Sequence, residues 1–293
     1  MNQNLVSIIM PIFNSQKYLA ESLDSILNQT WKKIEIIAVD DGSTDNSAKI
    51  LEKYSNKITI ISQKNQGLAS ALNSGIKKMK GSWFKWFSPD DVMYPKAIET
   101  LINSAKNFQK NTIIYSNWDI IDKSGKKLRS FKESNNNKLD IFDFNVRLLD
   151  GQQINVNTTL IPSTLFSTIA MNSDIDPILI DYEFFLKVGL LHKIKFYLIE
   201  KPLIKFRVHE NQLSHKNIVK SLENLQYVRD SILSKLDEDK KIRYLEALEI
   251  FNKNKPLSQK SMESGLKLIS SILPSTATDK FLVFYLNKIR SSR

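Results

Sequence analysis

Ile34-Glu35-Ile36-Ile37-Ala38-Val39-Asp40-Asp41-Gly42-Ser43-Thr44-Asp45 is an apolar run that stops abruptly at two acids and a glycine. Residues 34–39 suit a strand buried on both faces, where near-continuous apolar residues replace the alternation of a half-exposed sheet. Ser43 followed by Asp45 reads as a helix N-cap with acid in the first turn, and the helix runs to about Tyr54. The same unit recurs on either side. Before it, residues 5–12 form another apolar run with Pro11 near its end, and residues 18–29 carry Leu19, Leu23, Ile26 and Leu27 at helical spacing. After it come a strand at 58–61, a helix at 68–79 and a strand at 83–87 that ends at Ser88-Pro89-Asp90-Asp91. Pro95 opens a helix to about Asn107, and residues 113–116 return as a strand.

Strand–helix alternation with short connections implies right-handed crossovers and an α/β fold with a mostly parallel sheet flanked by helices. Ligands of such sheets bind beyond the carboxyl ends of the strands. Residues 11–14, 40–43 and 88–91 fall at such ends, so topology gathers them on one edge. From about Asp119 the pattern loosens. Asp122-Lys123-Ser124-Gly125 looks like a hairpin turn, and residues 134–138 like a polar, mobile loop. Residues 181–191 look helical, 195–199 and 203–208 strand-like, and nearly everything after Ser214 helical. The expected division is 1–214 for the main domain, with halves at 1–117 and 118–214, and 215–293 for a small helical C-terminal region.

Composition narrows the chemistry. The 293 residues contain no cysteine, which removes disulfides, thiolate metal sites and a cysteine nucleophile together. A formal charge of +11 favours anionic partners. The lysines are dispersed rather than set in a basic block with interleaved aromatics, so nucleic acid is not expected. The N-terminus shows no basic region followed by a cleavage pattern, and no apolar run approaches the roughly 20 residues that span a bilayer. A cytoplasmic protein is the expectation. The glycines never take the G-x-G-x-x-G or P-loop spacing, G-x-S-x-G is absent, and His192, His209 and His215 lack zinc-protease pairing.

Carboxylates at strand ends remain, and these suit a hard divalent cation such as manganese or magnesium, held by one or two acids plus substrate phosphates. Asp90 and Asp91 follow a strand and a rigid proline, so one can meet a metal and the other a ribose hydroxyl. The same pair can equally serve to cap the helix near Pro95.

At this point the residues resemble a known family. Val6-Ser7-Ile8-Ile9-Met10-Pro11-Ile12-Phe13-Asn14 with Tyr18-Leu19, Ser25 to Thr30, and Glu35 through Asp45 resemble the family 2 glycosyltransferases of GT-A fold. So do Asn65-Gln66-Gly67-Leu68-Ala69 and Asn73-Ser74-Gly75. Ser88-Pro89-Asp90-Asp91 stands where that family carries its DxD-type motif, with Ser88 in place of a frequent further Asp. The resemblance covers roughly residues 5–214. It implies a Rossmann-like GT-A domain that binds a nucleotide-sugar, with Pro11, Asn14 and Asp41 around the nucleotide. Asp90 would lie near the ribose and Asp91 at a manganese or magnesium ion bridging the diphosphate.

Ile180-Asp181-Tyr182-Glu183 resembles the family's Glu-Asp-Tyr segment, which makes Asp181 the general base of an inverting displacement, although Ile180 replaces the usual Glu. As residues alone, Asp181 is also a fitting helix N-cap, and Asp174, Asp176 and Glu183 could each serve as the base instead. Arg207-Val208-His209 resembles the Arg-x-His segment, which assigns Arg207 to the diphosphate or an accessory role and His209 to the metal shell.

Residues after Ser214 lie outside the resemblance. Residues 232–236, 244–251 and 266–273 read as short amphipathic helices. Phe281-Leu282-Val283-Phe284-Tyr285-Leu286 has Lys280, Lys288, Arg290 and Arg293 beside it. An apolar face among basic residues can rest on an anionic membrane or pack against the main domain or a second subunit. The expected function is transfer of a sugar, with UDP-sugars the commonest donors by resemblance, to a glycan or lipid-linked acceptor in bacterial surface polysaccharide synthesis. A nucleotidyltransferase is a competing reading, but the glycine- and basic-rich phosphate loop it needs is missing at Ile12-Phe13-Asn14-Ser15. A non-catalytic nucleotide-sugar-binding module on the same fold is another.

Overall fold

The structure, a computed structural model, describes residues 2–108, 111–133, 136–151, 154–210, 212 and 218–257. In chain order come β1 (Asn2–Ile12), α1 (Leu19–Leu27), β2 (Ile34–Asp40), α2 (Ser47–Glu52) and β3 (Thr59–Ser62). Then follow α3 (Leu68–Ile76), β4 (Gly81–Trp86), β5 (Val92–Met93), α4 (Ala97–Ala105), β6 (Thr112–Ile121) and β7 (Lys127–Phe131). The remainder is α5 (Ile141–Asp150), β8 (Ile161–Pro162), α6 (Ile180–Leu190), β9 (Lys195–Arg207), α7 (Ile218–Leu233) and α8 (Glu238–Asn254).

Two compact units divide the chain. The first takes residues 1–138, 154–177 and 194–208, the second residues 139–153, 178–193 and 209–293. These packing units interleave along the sequence.

The first unit contains two sheets, ordered β3-β2-β1-β4-β8 and β5-β9-β6-β7. β3, β2, β1 and β4 run parallel, with β8 antiparallel at the edge. Val6, Ile8, Ile9 and Met10 are fully buried, as a central strand covered on both faces requires. Each such side chain contributes about 1.5–3 kcal/mol relative to exposure. Close packing of β1 on β4 needs a residue without a side chain: a Cβ on Gly81 would fall 2.6 Å from the Leu5 carbonyl oxygen. In the second sheet β6 pairs parallel with β9 and antiparallel with β7, and the Asp122–Gly125 hairpin turns at Gly125 with φ +87°.

The described residues of the second unit are mostly helical. α6 is buried nearly all round, Asp181 and Lys187 being its half-buried members. Asn145 Nδ2 of α5 donates to Gly189 O of α6 (3.1 Å) and to Tyr244 Oη of α8 (3.2 Å). Arg229 of α7 donates to Leu149 O at 2.8 Å.

Four expectations change. The helix read from Ser43 to Tyr54 is α2 alone, with Asn46 at its N-cap, because Ser43 Oγ accepts the Asn14 N–H instead. The strands read at 195–199 and 203–208 are one strand. Its Pro202 is tolerated where the β6–β9 register shifts at Ser116 and Asn117. The loop read at 134–138 contains a 3-10 turn, Asn136–Lys138, whose Asn136 is buried. Of the segment read at 232–236 only the first two residues are helical, as the end of α7, with a turn following; 244–251 lies within the longer α8, while 266–273 and 281–286 lie outside the described residues.

Candidate functional site

Parallel register fixes where the strand ends emerge. Ile12 pairs with Asp40 and Ile9 with Trp86, and two further bonds extend the ladders: Asp41 N–H to Ile12 O (2.8 Å) and Phe87 N–H to Ile9 O (3.0 Å). The loops after β1, β2 and β4 therefore leave the sheet along one edge.

Side chains stitch the first two loops together. Pro11 is buried at the end of β1, and Asn14 sits exposed at φ +50°, a left-handed conformation that asparagine tolerates. Its Oδ1 accepts from Thr44 N (2.8 Å) and Thr44 Oγ1 (3.2 Å). Asp45 Oδ2 accepts from Gln16 N at 3.0 Å. Asp41 is 4% exposed and its carboxylate is engaged inward. Oδ1 accepts from Gln63 Nε2 (2.8 Å) and Gln66 N (2.9 Å), and Oδ2 from Gly67 N (2.8 Å). The acid thus sits at the N-terminus of α3, where unpaired N–H groups favour negative charge, and it fixes the β3–α3 loop. Gly42 completes this turn at φ +74°, where a Cβ would meet Asn65 N at 2.8 Å.

The corner after β4 is built differently. Asp91 is fully buried, with Oδ1 accepting from Arg207 N (2.8 Å) and Oδ2 from Asn157 Nδ2 (2.6 Å). Burial pushes its carboxyl well above the usual range, and the Asp90 charge adds to that. The Arg207 and Asn157 hydrogen bonds act in the opposite sense. Asp90 is half-buried, and its carbonyl oxygen accepts from Arg207 Nε at 2.8 Å. Arg207, at the end of β9, is 1% exposed. Its guanidinium lies 4.4 Å from the Tyr18 ring centre and pairs with Glu21 Oε2 at 2.7 Å. Expected at the diphosphate or in an accessory role, it bonds protein partners that hold the corner in place.

Beneath the corner lies Lys85, fully buried in β4. Its Nζ donates to Asn157 O (2.6 Å) and Thr159 O (3.1 Å). Burial lowers its ammonium to about 7, with the Asp91 charge opposing. From about pH 7 toward 10.5 the folded chain therefore binds fewer protons at Lys85 than the unfolded chain, so stability rises with pH across that window. Urea unfolding between pH 7 and 9 should show a slope of up to about 1.4 kcal/mol per pH unit beyond that of Lys85→Met. Equal slopes in the two chains would contradict it.

In the second unit, Asp181 lies half-buried in the first turn of α6. The N-cap is Leu179, so the capping reading gives way, and Asp181 Oδ1 accepts the Tyr182 N–H at 2.8 Å. Glu183 is buried and paired with Lys187 at 2.6 Å. Asp174 is exposed and Asp176 half-buried, and both belong to the first unit. His209 is half-buried and belongs to the second unit.

Among the described residues no group of three or more His, Asp or Glu side chains is disposed to hold a metal. The enclosed Asp91 and half-buried Asp90 suit a sparser arrangement, in which one carboxylate and substrate phosphates share a manganese or magnesium ion.

The family model described as glycosyl transferase family 2 matches residues 7–163. The chain belongs to glycosyl transferase family 2. A relative called an uncharacterized glycosyltransferase in Rickettsia prowazekii is 36% identical over 81% of this chain and 74% of its own length. One in Rickettsia felis is 37% identical over 84% of this chain, which spans only 41% of that longer protein. Among solved structures, S. aureus TarS in complex with UDP superposes with a TM-score of 0.62 at 17% identity, over 90% of this chain and 78% of that one. The mannosyltransferase PcManGT of Pyrobaculum calidifontis with GDP-Man and Mn2+ gives 0.56 at 12%, over 95% and 84%. Both likenesses are of fold, and the fold is GT-A.

Within this family 2 domain, sequence reasoning missed Asn157, Lys85 and Glu21. Lys85 left a signal, a lone cation inside the apolar strand Trp83–Phe87. Asn157 and Glu21 left none, since each acts on a partner far along the chain.

Proposed function

We propose that this family 2 chain transfers a sugar from a nucleotide donor, first of all a UDP-sugar, to a hydroxyl of a glycan or lipid-linked acceptor in surface polysaccharide synthesis. The observation that carries the reading is the half-buried Asp90, presented at the sheet edge where the loops after β1, β2 and β4 emerge. Pro11, Asn14 and Asp41 surround the nucleotide, residues 1–117 forming the donor half and 118–214 the acceptor half. The resemblance gives the metal to Asp91. Its enclosure favours giving the cation to Asp90, while Asp91 and Arg207 hold Asp90 in place. A bound Mn or Mg ion would offset charge growing on the departing nucleoside diphosphate. Asp181 takes the acceptor proton as the acceptor oxygen bonds to the anomeric carbon and the bond to the diphosphate oxygen breaks, which inverts that centre. The UDP and GDP-Man found in structural neighbours support a nucleotide-sugar donor.

Calorimetric titration with UDP, GDP and dTDP tests the donor side. One of them should bind, and bind more tightly with manganese than with EDTA. If none binds with manganese present, the reading is wrong.

Among the described residues no helix is long and apolar enough to cross a membrane. Work at the cytoplasmic face, with residues 281–293 resting on anionic lipid, completes the proposal. Truncation after Pro274 should lower co-sedimentation with anionic liposomes, and unchanged binding would remove that part.

A further inference from the structure

We infer that Asn157 is the positioning residue of the corner formed by Ser88, Pro89, Asp90 and Asp91. Its amide ties the first residue of the corner to the last and so sets where the Asp90 carboxylate stands. The inference rests on the donor-site reading above and adds to it a residue outside every motif.

The corner has little backbone bonding of its own. It lies beyond the β4 ladder, and Asp91 N–H reaches Ser88 O at a long 3.4 Å. Asn157 supplies what is missing. Its Oδ1 accepts from Ser88 N (2.9 Å) and Ser88 Oγ (3.1 Å), while its Nδ2 donates to Asp91 Oδ2 (2.6 Å). The amide offers an acceptor and a donor side by side. A carboxylate could serve Ser88 but not Asp91, and an apolar side chain neither.

Asn157 is itself locked. It is 4% exposed within the 3-10 turn Val156–Thr158, its N–H bonds Asn155 Oδ1 (3.0 Å), and its carbonyl accepts from Lys85 Nζ. The brace therefore runs from β4 through Lys85 to the turn, and from the Asn157 amide back to the corner. Arg207 Nε holds the intervening Asp90 carbonyl, and Ser22 Oγ reaches Ser88 O at 3.2 Å. Backbone is gripped at residues 88 and 90 and the side chain at 91, and Asp90 is the corner's half-buried acid. A displacement of about 1 Å at such a group is enough to degrade function.

The test measures UDP affinity by calorimetry with manganese and with EDTA, or GDP or dTDP affinity if the parent prefers it. Four chains are compared: the parent, Asn157→Ala, Asn157→Asp and the core variant Ile102→Val. In Asn157→Ala the affinity in EDTA should stay within about twofold, while the gain from manganese falls by about tenfold or more, the usual range for residues that orient metal ligands. Asn157→Asp keeps the acceptor toward Ser88 but sets a carboxylate against Asp91, so it should lose the manganese gain equally. That variant carries the test if Asn157→Ala does not fold. Ile102→Val should lower the melting temperature and keep the gain.

A parental manganese gain in either Asn157 variant overturns the inference. So does the same loss in Ile102→Val, which would mark a general effect of destabilisation. A parent chain that binds no nucleotide with manganese overturns the donor reading and this inference with it, and the parent titration alone reveals that case.

Discussion

Asp181→Asn is expected to bind nucleotide donor as the parent chain does while losing transfer by about 10²–10⁴-fold, the usual contribution of a positioned general base. Asparagine matches the shape of aspartate and keeps an oxygen for the Tyr182 N–H, now accepted by Asp181 Oδ1 at 2.8 Å. What it loses is a lone pair that can accept a proton at neutral pH. Stability should change little, because an acid in the first turn of a helix contributes only about 0.3–1 kcal/mol through the helix dipole. Initial rates against donor dissociation constants separate the two effects. A variant that still transfers within about tenfold of the parent would move the role elsewhere. Glu183 is a poor heir, being buried and paired with Lys187, whereas Asp176 is half-buried in the other unit.

The parallel strands were legible because burial on both faces writes itself as an unbroken apolar run: residues 5–12 and 34–39 sit inside β1 and β2. The loops after them were legible as punctuation, and parallel topology alone predicted their shared edge. α5 went unread although its signals were local. Asp140 caps it by accepting the Asp143 N–H at 2.8 Å, and Phe144, Leu148 and Leu149 form its buried face. The polar run before it masked that start. β9 was split in two because Pro202 looks like a stop, and only a pairing partner shows how a register shift absorbs it. The corner lay furthest from view. Its acids were found, but Asp91 joins residues 66 and 116 positions away, and no local pattern encodes such contacts.

Those contacts set up the second large effect. Asp91→Asn should destabilise the chain by about 2 kcal/mol with no metal or nucleotide present. Both oxygens of Asp91 accept N–H donors in a fully buried place, whereas asparagine has one oxygen. Its NH2 group must face either Arg207 N or Asn157 Nδ2, which leaves a buried donor unsatisfied and two donors opposed. One effect works the other way, since removing a buried carboxylate relieves its desolvation. That relief is limited, because Lys85 below then loses the opposite charge that favours its ammonium form.

A group kept only to ligate a cation behaves in the opposite manner, since neutralising an acid held in place for function leaves the metal-free protein as stable or more so. Urea unfolding in EDTA therefore separates the two roles, and an unchanged or raised midpoint would return Asp91 to the metal. Combining Asp91→Asn with Asn157→Ala should then cost less than the sum of the two changes, with a coupling of about 0.5–3 kcal/mol between side chains 2.6 Å apart. Strict additivity would mean that the amide and the acid do not act together.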